Sequence, residues 1–539
     1  MKQIIYKVLI VAFGLMFNVS NAKSGSLGLS GLNINAKIYY VSTTGNNTNT
    51  GTIDSPFKTI NFAVAKLVAG DILYVRGGTY VETVSVKVSG TSSSPITISA
   101  YSGELPVIDG QNTLPVSNYA GLVNLSGNYV HISGIEVKNT ISGNYAAGVV
   151  VNGHHNTVSN FKVHDIYCSG ILIAGDYGIA EDSQVWQTNL SNVNGSGGGM
   201  WGNGIQAARD QVNGITLNAI LRRNLVYNNW GEGVSTYEAT KTIIEDNIVY
   251  DNWATNIYIS DATYVLFQRN MVYVTDGNSF NQAAPGLMLA DEVANKPRSA
   301  NNTIINNFFV NGRVALFSWT GVSGSGLTNL LFANNTLSNA EIKTGTINSG
   351  NRIINNIFTG GANILSTSGV TWSNNCWQGI RPSNAVGTND VLGDPLLALT
   401  GTVSPGQLTA DNFKLSSASS PAINAGIVLT EVTEDYFKMA RDTLPDIGGY
   451  EYQATVGIST VNSPSFRVFP NPSTNYLTVG LSNIQNNTQV QIFNTLGILT
   501  KELKLTSSKQ EINIEDLASG VYFIRIKQLK DLSLKFIKQ

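Results

Sequence analysis

Three stretches of the chain repeat one another: NLVYNNW at 224–230, NIVYDNW at 247–253 and NMVYVTD at 270–276. Successive units begin 23 residues apart, a period typical of stacked solenoid coils. Each unit holds a short apolar segment rich in Val and Tyr, and a second β-rich segment follows before the next unit. The pattern predicts several short strands per coil and therefore a parallel β-helix.

An asparagine opens each of these units, at Asn224, Asn247 and Asn270. Asparagine tolerates left-handed turns, where its side chain can bind its own backbone. Identical amides one coil apart can also donate and accept hydrogen bonds along the stack. We predict that these asparagines form a structural ladder with no catalytic role.

Residues 1–22 have the features of an export signal. Lys2 and Lys7 accompany an apolar run that ends in the small residues Ser20-Asn21-Ala22. An uncleaved membrane anchor is the alternative, but the apolar run is short for a span. The sequence predicts a secreted protein with no permanent membrane span.

The composition limits the class of protein. With only Cys168 and Cys376, the chain is no disulfide-built scaffold. It has 13% charged residues, 53 glycines and a net charge of −2, so it lacks the basic surplus of a nucleic-acid binder. We predict an extracellular β-protein with no nucleic-acid partner.

The C-terminal part reads as a separate small β-sandwich over 464–539, after a linker at 456–463. Short strands and turns alternate in SFRVFPNPSTNYLTV (465–479), QIFNTLGILTKELKL (491–505) and LASGVYFIRIK (517–527). This part resembles the C-terminal sorting domain of the Bacteroidetes type IX secretion system. The resemblance implies the type IX machinery as a partner and a final place outside the cell or on its surface.

Residues 23–455 are predicted to form one long solenoid domain. Residues 57–69 are predicted to form a short amphipathic helix that covers its open N-terminal end. Because covered ends oppose end-to-end assembly, we expect a monomer.

Both ends of this domain resemble secreted right-handed parallel β-helix proteins of the pectate-lyase-like superfamily. The resemblance spans roughly 37–452 and implies the fold, while it leaves the reaction open because one fold hosts many chemistries. The segments that carry it are KIYYVSTTG…VETVSV (37–86), SPITISAYSGELPVIDG (94–110), DPLL (394–397), SPAINAG (420–426) and DIGGYEY (446–452).

The coils align on the apolar residue that follows a turn Gly or Asn, and this residue is predicted to point into the core. The aligned residues are Val149, Ile171, Ile205, Val234, Ile257 and Leu287. Four positions later the column contains Arg209, Glu238, Asp261 and Asp291. Coils lie about 4.8 Å apart, so these carboxylates would repel one another unless Ca²⁺, a cationic neighbour or a raised pKa relieved the repulsion.

Glu238, Asp261 and Asp291 are therefore the candidate Ca²⁺ ligands. The alternative is that they form turns and bind nearby backbone N–H groups.

A second column contains Glu232, in the segment WGEG, at the level of Asn203. Aromatic residues around these coils could offer flat surfaces to a sugar ring, with packing on the neighbouring coil as the alternative. The candidate substrate-binding residues are Trp201, Trp230, Tyr237, Trp253 and Tyr258. The segments 191–204 and 275–286 interrupt the 23-residue period and are predicted to project as loops that wall a cleft.

Two enzymatic mechanisms fit these residues. The family resemblance implies a lyase in which Ca²⁺ and a basic side chain, Arg209 or Lys241, drive β-elimination on a uronate polysaccharide. A glycoside hydrolase would instead pair two carboxyl groups, Glu232 with Glu238 or Asp261. The sequence departs from the acidic clusters of both well-known types, and we favour the lyase over the hydrolase.

Two further possibilities remain at this stage. An epimerase acting on uronate polymers shares the first step of the lyase. A non-catalytic glycan-binding solenoid is the alternative to an enzyme. Charged and Trp residues gather within 200–292, next to the irregular segments, and this asymmetry favours an active cleft.

His154, His155 and His164 are possible bases or metal ligands, with a solvated turn residue as the alternative.

Overall fold

The chain forms two compact units, Met1–Tyr452 and Gln453–Gln539, in the computed structural model. The predicted signal peptide and linker lie outside the residues that the structure describes. The described residues are 36–539 apart from 199–200, 210–213, 279–285, 294–297, 312–313, 345–347, 361–362, 365–367, 400–401, 454–465, 482–487, 495–496 and 528–532.

Three long parallel sheets build the first unit. Sheet 1 has 13 strands: Ile38–Val41, Ile72–Val75, Ile96–Ala100, Val130–Ser133, Thr157–Ser159, Ile179–Glu181, Ile220–Arg222, Ile243–Glu245, Leu266–Gln268, Thr303–Ile305, Leu331–Ala333, Asn351–Ile354 and Val370–Ser373. Sheet 2 has 13 strands: Gly78–Tyr80, Pro106–Asp109, Glu136–Lys138, Lys162–His164, Gln184–Trp186, Leu225–Tyr227, Ile248–Tyr250, Met271–Tyr273, Phe308–Val310, Thr336–Ser338, Ile357–Phe358, Cys376–Trp377 and Val391–Leu392. Sheet 3 has 11 strands: Val84–Val86, Gly121–Leu125, Ala147–Val151, Ile171–Ile173, Asn203–Ala208, Glu232–Tyr237, Thr255–Ser260, Leu287–Asp291, Val314–Thr320, Glu341–Thr344 and Asn363–Ile364. Successive coils add one strand to each sheet in turn, which confirms the predicted parallel β-helix.

Short elements complete this unit. Two-stranded sheets pair Thr216–Leu217 with Ala239–Thr240 and Leu327–Thr328 with Asn348–Ser349. The segments Leu190–Gly195 and Ala410–Phe413 are 3₁₀-helical.

The helix predicted over 57–69 is shorter, at Ile60–Val64. Thr59 begins it by accepting a hydrogen bond from the Phe62 N–H, and the Glu82 carboxylate accepts from the first two helical N–H groups. Its buried side chains join the apolar core beside the first strands of sheets 1 and 3.

The predicted alignment of the coils is confirmed residue for residue. Each aligned apolar side chain pairs with its counterpart on the next strand of sheet 3, from Val149 through to Leu287, and all are fully buried. The interior is one continuous apolar cluster from Val41 to Ala385. Each fully buried Val, Leu or Ile contributes about 1.5–3 kcal/mol to this core.

The predicted asparagine ladder is also present, and it is longer than the three repeats. Each amide Nδ2 donates to the Oδ1 of the asparagine on the next coil, at 2.9–3.1 Å. The ladder contains Asn224, Asn247, Asn270, Asn307, Asn335, Asn356 and Asn375. Its members are buried, so these bonds satisfy amides that have no access to water.

One detail of the ladder prediction is wrong. The left-handed residue of each turn is the one before the asparagine, at Arg223, Asp246 and Arg269, with φ of 52–57°. The asparagine side chain therefore points inward from the start of the strand that follows the turn. Its Oδ1 accepts from the backbone N–H of the previous coil's asparagine as well as from the amide, which ties successive turns together.

The C-terminal residues of the first unit, 394–452, cover the outer face of sheet 2. Phe413 stacks on Phe308 with ring centroids 4.5 Å apart, and Val403 and Leu408 join the same apolar cluster. The buried Arg441 and Glu451 form an ion pair of 2.9 Å within this segment.

The second unit contains two antiparallel sheets that share one apolar core. One sheet has the strands Phe466–Phe469, Tyr476–Leu481 and Lys509–Asn513, and the other has Leu499–Lys504, Gln489–Asn494, Gly520–Ile526 and Ser533–Lys538. The predicted C-terminal β-sandwich is confirmed.

Removing one amide from the ladder should destabilise the solenoid. In Asn247→Ala, the buried Asn224 backbone N–H and the Leu221 carbonyl lose their bonds to Asn247, and each unsatisfied group costs about 1–3 kcal/mol. We expect a loss of about 3 kcal/mol or more in the free energy of unfolding, measured by urea denaturation. The control is Asn329→Gly, which removes an exposed amide pair with Asn301 and keeps the left-handed turn. Equal losses in the two variants would contradict a stabilising ladder.

Candidate active site

Two adjoining cavities lie on the outer face of sheet 3, and they share Gln206 and Tyr237. The first, the Glu232 cavity, has a volume of about 540 Å³. The second, the Arg209 cavity, has a volume of about 890 Å³. The Glu232 cavity is lined by Trp201, Asn203, Gln206, Glu232, Tyr237, Trp253, Ala254, Thr255, Tyr258, Met288, Glu292 and Trp319.

A glycine directs Glu232 into its cavity. A Cβ atom on Gly233 would lie 2.5 Å from the Asn256 carbonyl oxygen and 2.7 Å from a Val249 methyl carbon, so no larger residue fits there. The backbone therefore packs closely against the interior at this point, and the side chain one residue earlier faces outward. Asn203 and Thr255 flank Glu232 on the neighbouring strands, as predicted for this column.

Glu232 is a buried carboxyl group at the bottom of the cavity, with 7% of its surface exposed. The Asn203 amide donates to its Oε2 at 2.5 Å. Burial raises the pKa of Glu232 to about 8. The nearby charge of Glu292 acts in the same direction, and interactions with Ser235 and Asn203 lower the pKa only in part. At neutral pH Glu232 is therefore mainly a neutral acid that can donate a proton.

Glu292 supplies an exposed carboxylate to the same cavity. Tyr258, which is nearly buried, lines the same cavity, and its side chain interacts with Glu292. Burial raises the pKa of Tyr258 above its ordinary value, and the interaction with Glu292 raises it again. The tyrosine therefore stays a hydrogen-bond donor. The cavity combines a proton donor, Glu232, with a carboxylate positioned by a phenol, which is the arrangement of an acid–base pair.

Aromatic side chains form the walls. The rings of Trp201 and Trp253 lie 6.1 Å apart between centroids, and Trp319 faces the same space. Trp201 is 57% exposed and Trp319 is 46% exposed, so both offer ring faces to a ligand. Of the predicted substrate-binding residues, Trp201, Tyr237, Trp253 and Tyr258 line the cavity.

Trp230 does not line either cavity, contrary to its predicted position. Its carbonyl oxygen accepts hydrogen bonds from the amides of Asn189 and Asn192. The Leu190–Gly195 segment therefore contacts the chain at Trp230, although Trp253 holds the equivalent place in the repeat.

Arg209 and Glu238 form an ion pair. The sequence analysis gave Arg209 as a candidate base and Glu238 as a candidate Ca²⁺ ligand or catalytic carboxyl group. The Arg209 Nη1 donates to Glu238 Oε2 at 3.1 Å, and Glu238 is only 2% exposed. The guanidinium is thus the cationic neighbour that offsets the free-energy cost of burying the Glu238 carboxylate. Arg209 lines the Arg209 cavity, and Glu238 lines neither cavity.

Lys241 lies away from both cavities. It is exposed at a left-handed turn, with φ of 56°, after the short strand Ala239–Thr240 has left the sheet 3 face. Its position does not support the predicted role as the base.

The candidate Ca²⁺ ligands do not converge. Asp261 accepts from the backbone N–H groups of Glu292 and Val293 and from the Ser260 hydroxyl. Asp291 accepts from the N–H groups of Ser299 and Gly326. Asp261 and Asp291 therefore bind nearby backbone N–H groups at turns, which is the alternative that the sequence analysis gave to Ca²⁺ binding.

Within the described ranges, no three His, Cys, Asp or Glu side chains form a group that could hold a metal ion. These residues do not fit a Ca²⁺ site, and the mechanism below contains no step through a metal. Asp210, next to Arg209 in the chain, lies outside the described residues.

The sequence analysis did not choose Met288, Glu292 or Trp319 as site residues, and all three line the Glu232 cavity. Met288 and Trp319 lie at outward positions of aligned strands, so the coil alignment contained the signal for them. Glu292 follows Asp291 at the end of its strand, where no repeat shows which way a side chain points.

Comparison with known proteins agrees with this architecture. Residues 39–266 match the family model described as "Pel9A-like, right handed beta helix region". Residues 467–539 match the model described as "Secretion system C-terminal sorting domain". The chain carries a Pel9A-like right-handed β-helix and a secretion sorting domain.

The relatives match the Pel9A-like helix only in part. Pectate lyase PEL9 of Emericella nidulans is 40% identical over 101 residues, which cover 18% of this chain and 25% of that protein. Pectate lyase L of Dickeya dadantii is 27% identical over 173 residues, 30% of this chain and 39% of that protein. The chain thus spans a quarter to two fifths of these relatives. The crystal structure of pectate lyase Pel9A superposes with a TM-score of 0.50 at 20% identity, over 77% of this chain and 96% of that one, which shows a shared fold.

The sorting domain gives the location. It indicates export by type IX secretion to the cell surface or the medium, as the sequence predicted. In the described part of the chain, no helix has the length and apolar character needed to cross a membrane.

The raised pKa of Glu232 predicts a specific pH dependence of stability. Because the folded state holds this proton up to about pH 8 and an ordinary glutamate loses it near 4.5, unfolding becomes easier as pH rises through that window. The shift corresponds to a loss on the order of 5 kcal/mol. Glu232→Gln keeps a neutral group of the same shape and should remove this loss.

We therefore expect Glu232→Gln to be more stable than the wild type at pH 9 and to converge with it below about pH 5. Thermal unfolding of both proteins across pH 4–9 measures the difference, and Asp54→Asn, an exposed carboxyl change that lines neither cavity, is the control. Parallel stability curves for Glu232→Gln and the wild type would mean that Glu232 is ionised in the folded protein.

Proposed function

We propose that the protein is an extracellular polysaccharide lyase that cleaves a sugar chain in the Glu232 cavity. The observation that carries this proposal is the pairing of a buried, protonated Glu232 with the exposed carboxylate of Glu292 between tryptophan walls. The pectate lyases among its relatives support β-elimination as the reaction class. Glu232 was a predicted catalytic residue, and Glu292 is added by the structure.

The two carboxyl groups divide the chemistry of elimination. Glu292 takes the proton from the carbon next to the uronate carboxyl group, and the electron pair forms the new C=C bond. The bond to the leaving glycosidic oxygen breaks, and Glu232 gives its proton to that oxygen. One proton is gained and one is lost at the enzyme, so the pair must exchange protons with water before the next turnover.

Other residues position the sugar for this step. Tyr258 stays protonated beside Glu292 and orients it, and Asn203 fixes the Glu232 carboxyl group by its hydrogen bond. Trp201, Trp253 and Trp319 offer apolar faces against which sugar rings stack. Arg209 binds Glu238 and lines the adjoining cavity instead of the Glu232 cavity, so we assign it to binding instead of proton abstraction.

A glycoside hydrolase is the second candidate, and one observation favours it. No cationic side chain is present among the described residues that line the Glu232 cavity. Two carboxyl groups of unlike protonation suffice to hydrolyse a glycosidic bond, with Glu232 as the acid and Glu292 as the base or nucleophile. An uncharged sugar at the cleavage point would suit this cavity best.

An activity assay with paired readouts tests the proposal. The secreted protein is incubated with pectate, alginate and chondroitin sulfate, and both ultraviolet absorbance of unsaturated uronate and new reducing ends are measured. We expect both signals from the wild type, with Glu232→Gln and Glu292→Gln each lowering the rate about 100-fold or more, since each removes one proton-transfer group. The rate should fall as pH rises through about 8, where Glu232 loses its proton.

The same assay contains its controls. Asp54→Asn should leave the rate unchanged. Reducing ends without absorbance would replace the lyase by the hydrolase, and neither signal would indicate an epimerase, a different polymer or a binding solenoid. A chelator should leave the rate unchanged; abolished activity would restore the predicted Ca²⁺ and contradict the metal-free mechanism.

A further inference from the structure

The Arg209 cavity adjoins the Glu232 cavity but differs from it in charge. Its described lining residues include Arg209 and His154 and no carboxylate. The Glu232 cavity has two carboxyl groups and, among its described residues, no cation. Along the solenoid axis, the lining of sheet 3 therefore changes from a guanidinium and an imidazole near the N-terminal coils to carboxyl groups in the Glu232 cavity.

The two cavities form one continuous surface across the strands. Gln206 and Tyr237 belong to both linings, and the lining residues lie on successive strands from Ala147–Val151 to Val314–Thr320. At about 4.8 Å per strand, these seven strands cover about 29 Å. This length exceeds what a single sugar needs, so an extended chain can lie along the axis.

A pair of exposed tyrosines stands at the basic end. The rings of Tyr119 and Tyr145 stack with centroids 4.9 Å apart and planes 9° from parallel. Tyr119 is 67% exposed and Tyr145 is 39% exposed, and both line the Arg209 cavity. Two parallel rings exposed at the rim of a groove make a flat surface of the kind that sugar rings stack on.

Two donors lie between these tyrosines and the Glu232 cavity, His154 and Arg209. The Asp176 backbone N–H donates to His154 Nδ1 at 3.1 Å, which leaves Nε2 as the donor, and the Asp176 carboxylate lies 3.7 Å from the same Nδ1. Arg209 uses Nη1 toward Glu238, while 41% of its side chain is exposed and its planar fork has five N–H donors. A carboxylate or sulfate is the group that such a donor pair binds best.

We propose that the Arg209 cavity is a subsite for anionic sugar units, in which Tyr119 and Tyr145 stack a sugar ring and Arg209 and His154 bind its negative group. The inference rests on the proposed function, because it assigns to the substrate an extended chain with acidic units on the side of the N-terminal coils. The acidic Glu232 cavity receives the unit at which the chain is cut. Charge selection and bond cleavage thus take place in neighbouring parts of one groove.

Binding to an inactive protein tests this assignment without cleavage. The full-length chain carrying Glu232→Gln is titrated by affinity gel electrophoresis with pectate and with fully methyl-esterified pectin, which has the same backbone without the charge. Alginate and chondroitin sulfate are tested beside their carboxyl-reduced forms. We expect the protein to bind at least one charged polymer about tenfold more tightly than its uncharged form, with a preference that weakens as salt is added.

Two sets of variants locate the subsite. Arg209→Gln combined with Glu238→Gln removes both charges of the pair, so that no buried charge is left alone, and it should abolish the preference for the charged polymer. Tyr119→Ala with Tyr145→Ala should weaken binding of the charged polymer about tenfold. Tyr177→Ala is the matched control: Tyr177 is also exposed, in a ring stack and in a left-handed conformation, but it lines neither cavity.

The outcomes separate this inference from the proposed function. Equal binding of charged and uncharged polymers, no binding of any of them, or Tyr119 and Tyr145 variants that match the Tyr177 control would each overturn the subsite. Melting temperatures verify that every variant is folded. If the protein binds a charged polymer as expected but the wild type cleaves none, the subsite stands and the proposed function fails.

Discussion

The hydrogen bonds between buried asparagine amides are the constraint on which the rest of the solenoid depends. After Asn224, each Asn in the ladder accepts from the backbone and the side chain of its counterpart on the previous coil, so the coils from Asn224 to Asn375 are fixed against one another. In a parallel sheet, a slip of one residue would exchange every inward side chain for an outward one. The amides have no water as a substitute partner, and any other register would leave them unsatisfied at a cost of about 1–3 kcal/mol each. The ladder thus selects the faces of all three sheets.

Once the register is set, the groove follows from which positions of sheet 3 face outward. Glu232, Tyr237 and Tyr258 come from two adjacent strands, and they meet because their coils are in phase. Gly233 lets the backbone approach the interior and leaves Glu232 to face the cavity. The site is therefore held by strands of a rigid scaffold, and the acid does not depend on a loop for its position.

The parts that could be predicted from the sequence are those governed by the repeat. The inward column from Val149 to Leu287, the outward position of Glu232 and the ladder itself all follow from a period that the residues display. The turns obey no such rule. Trp230 and Trp253 occupy equivalent places in their repeats, yet only Trp253 lines the cavity. The Leu190–Gly195 segment reaches both places: Asn192 binds the Trp230 carbonyl, and Gly195 lies against the Trp253 ring. Lys241 follows a left-handed residue that carries the chain away from the groove, and Glu292 lies beyond the end of its strand, so both positions depend on local turn geometry that spacing does not encode.

The acidic side chains of this face also show why burial alone does not identify a catalytic group. Glu238, Asp261 and Asp291 are each 2% exposed, and each has a partner: a guanidinium for Glu238 and backbone N–H groups for the two aspartates. Glu232 is nearly as buried, and its hydrogen bond from Asn203 does not offset the loss of water, so its proton is retained. Burial also raises the pKa of Asp261, although the N–H groups of Glu292 and Val293 lower it in part, so a raised pKa does not mark the acid either. Glu232 differs in position: it lines the cavity, where a substrate oxygen can accept its proton, whereas Glu238, Asp261 and Asp291 line neither cavity.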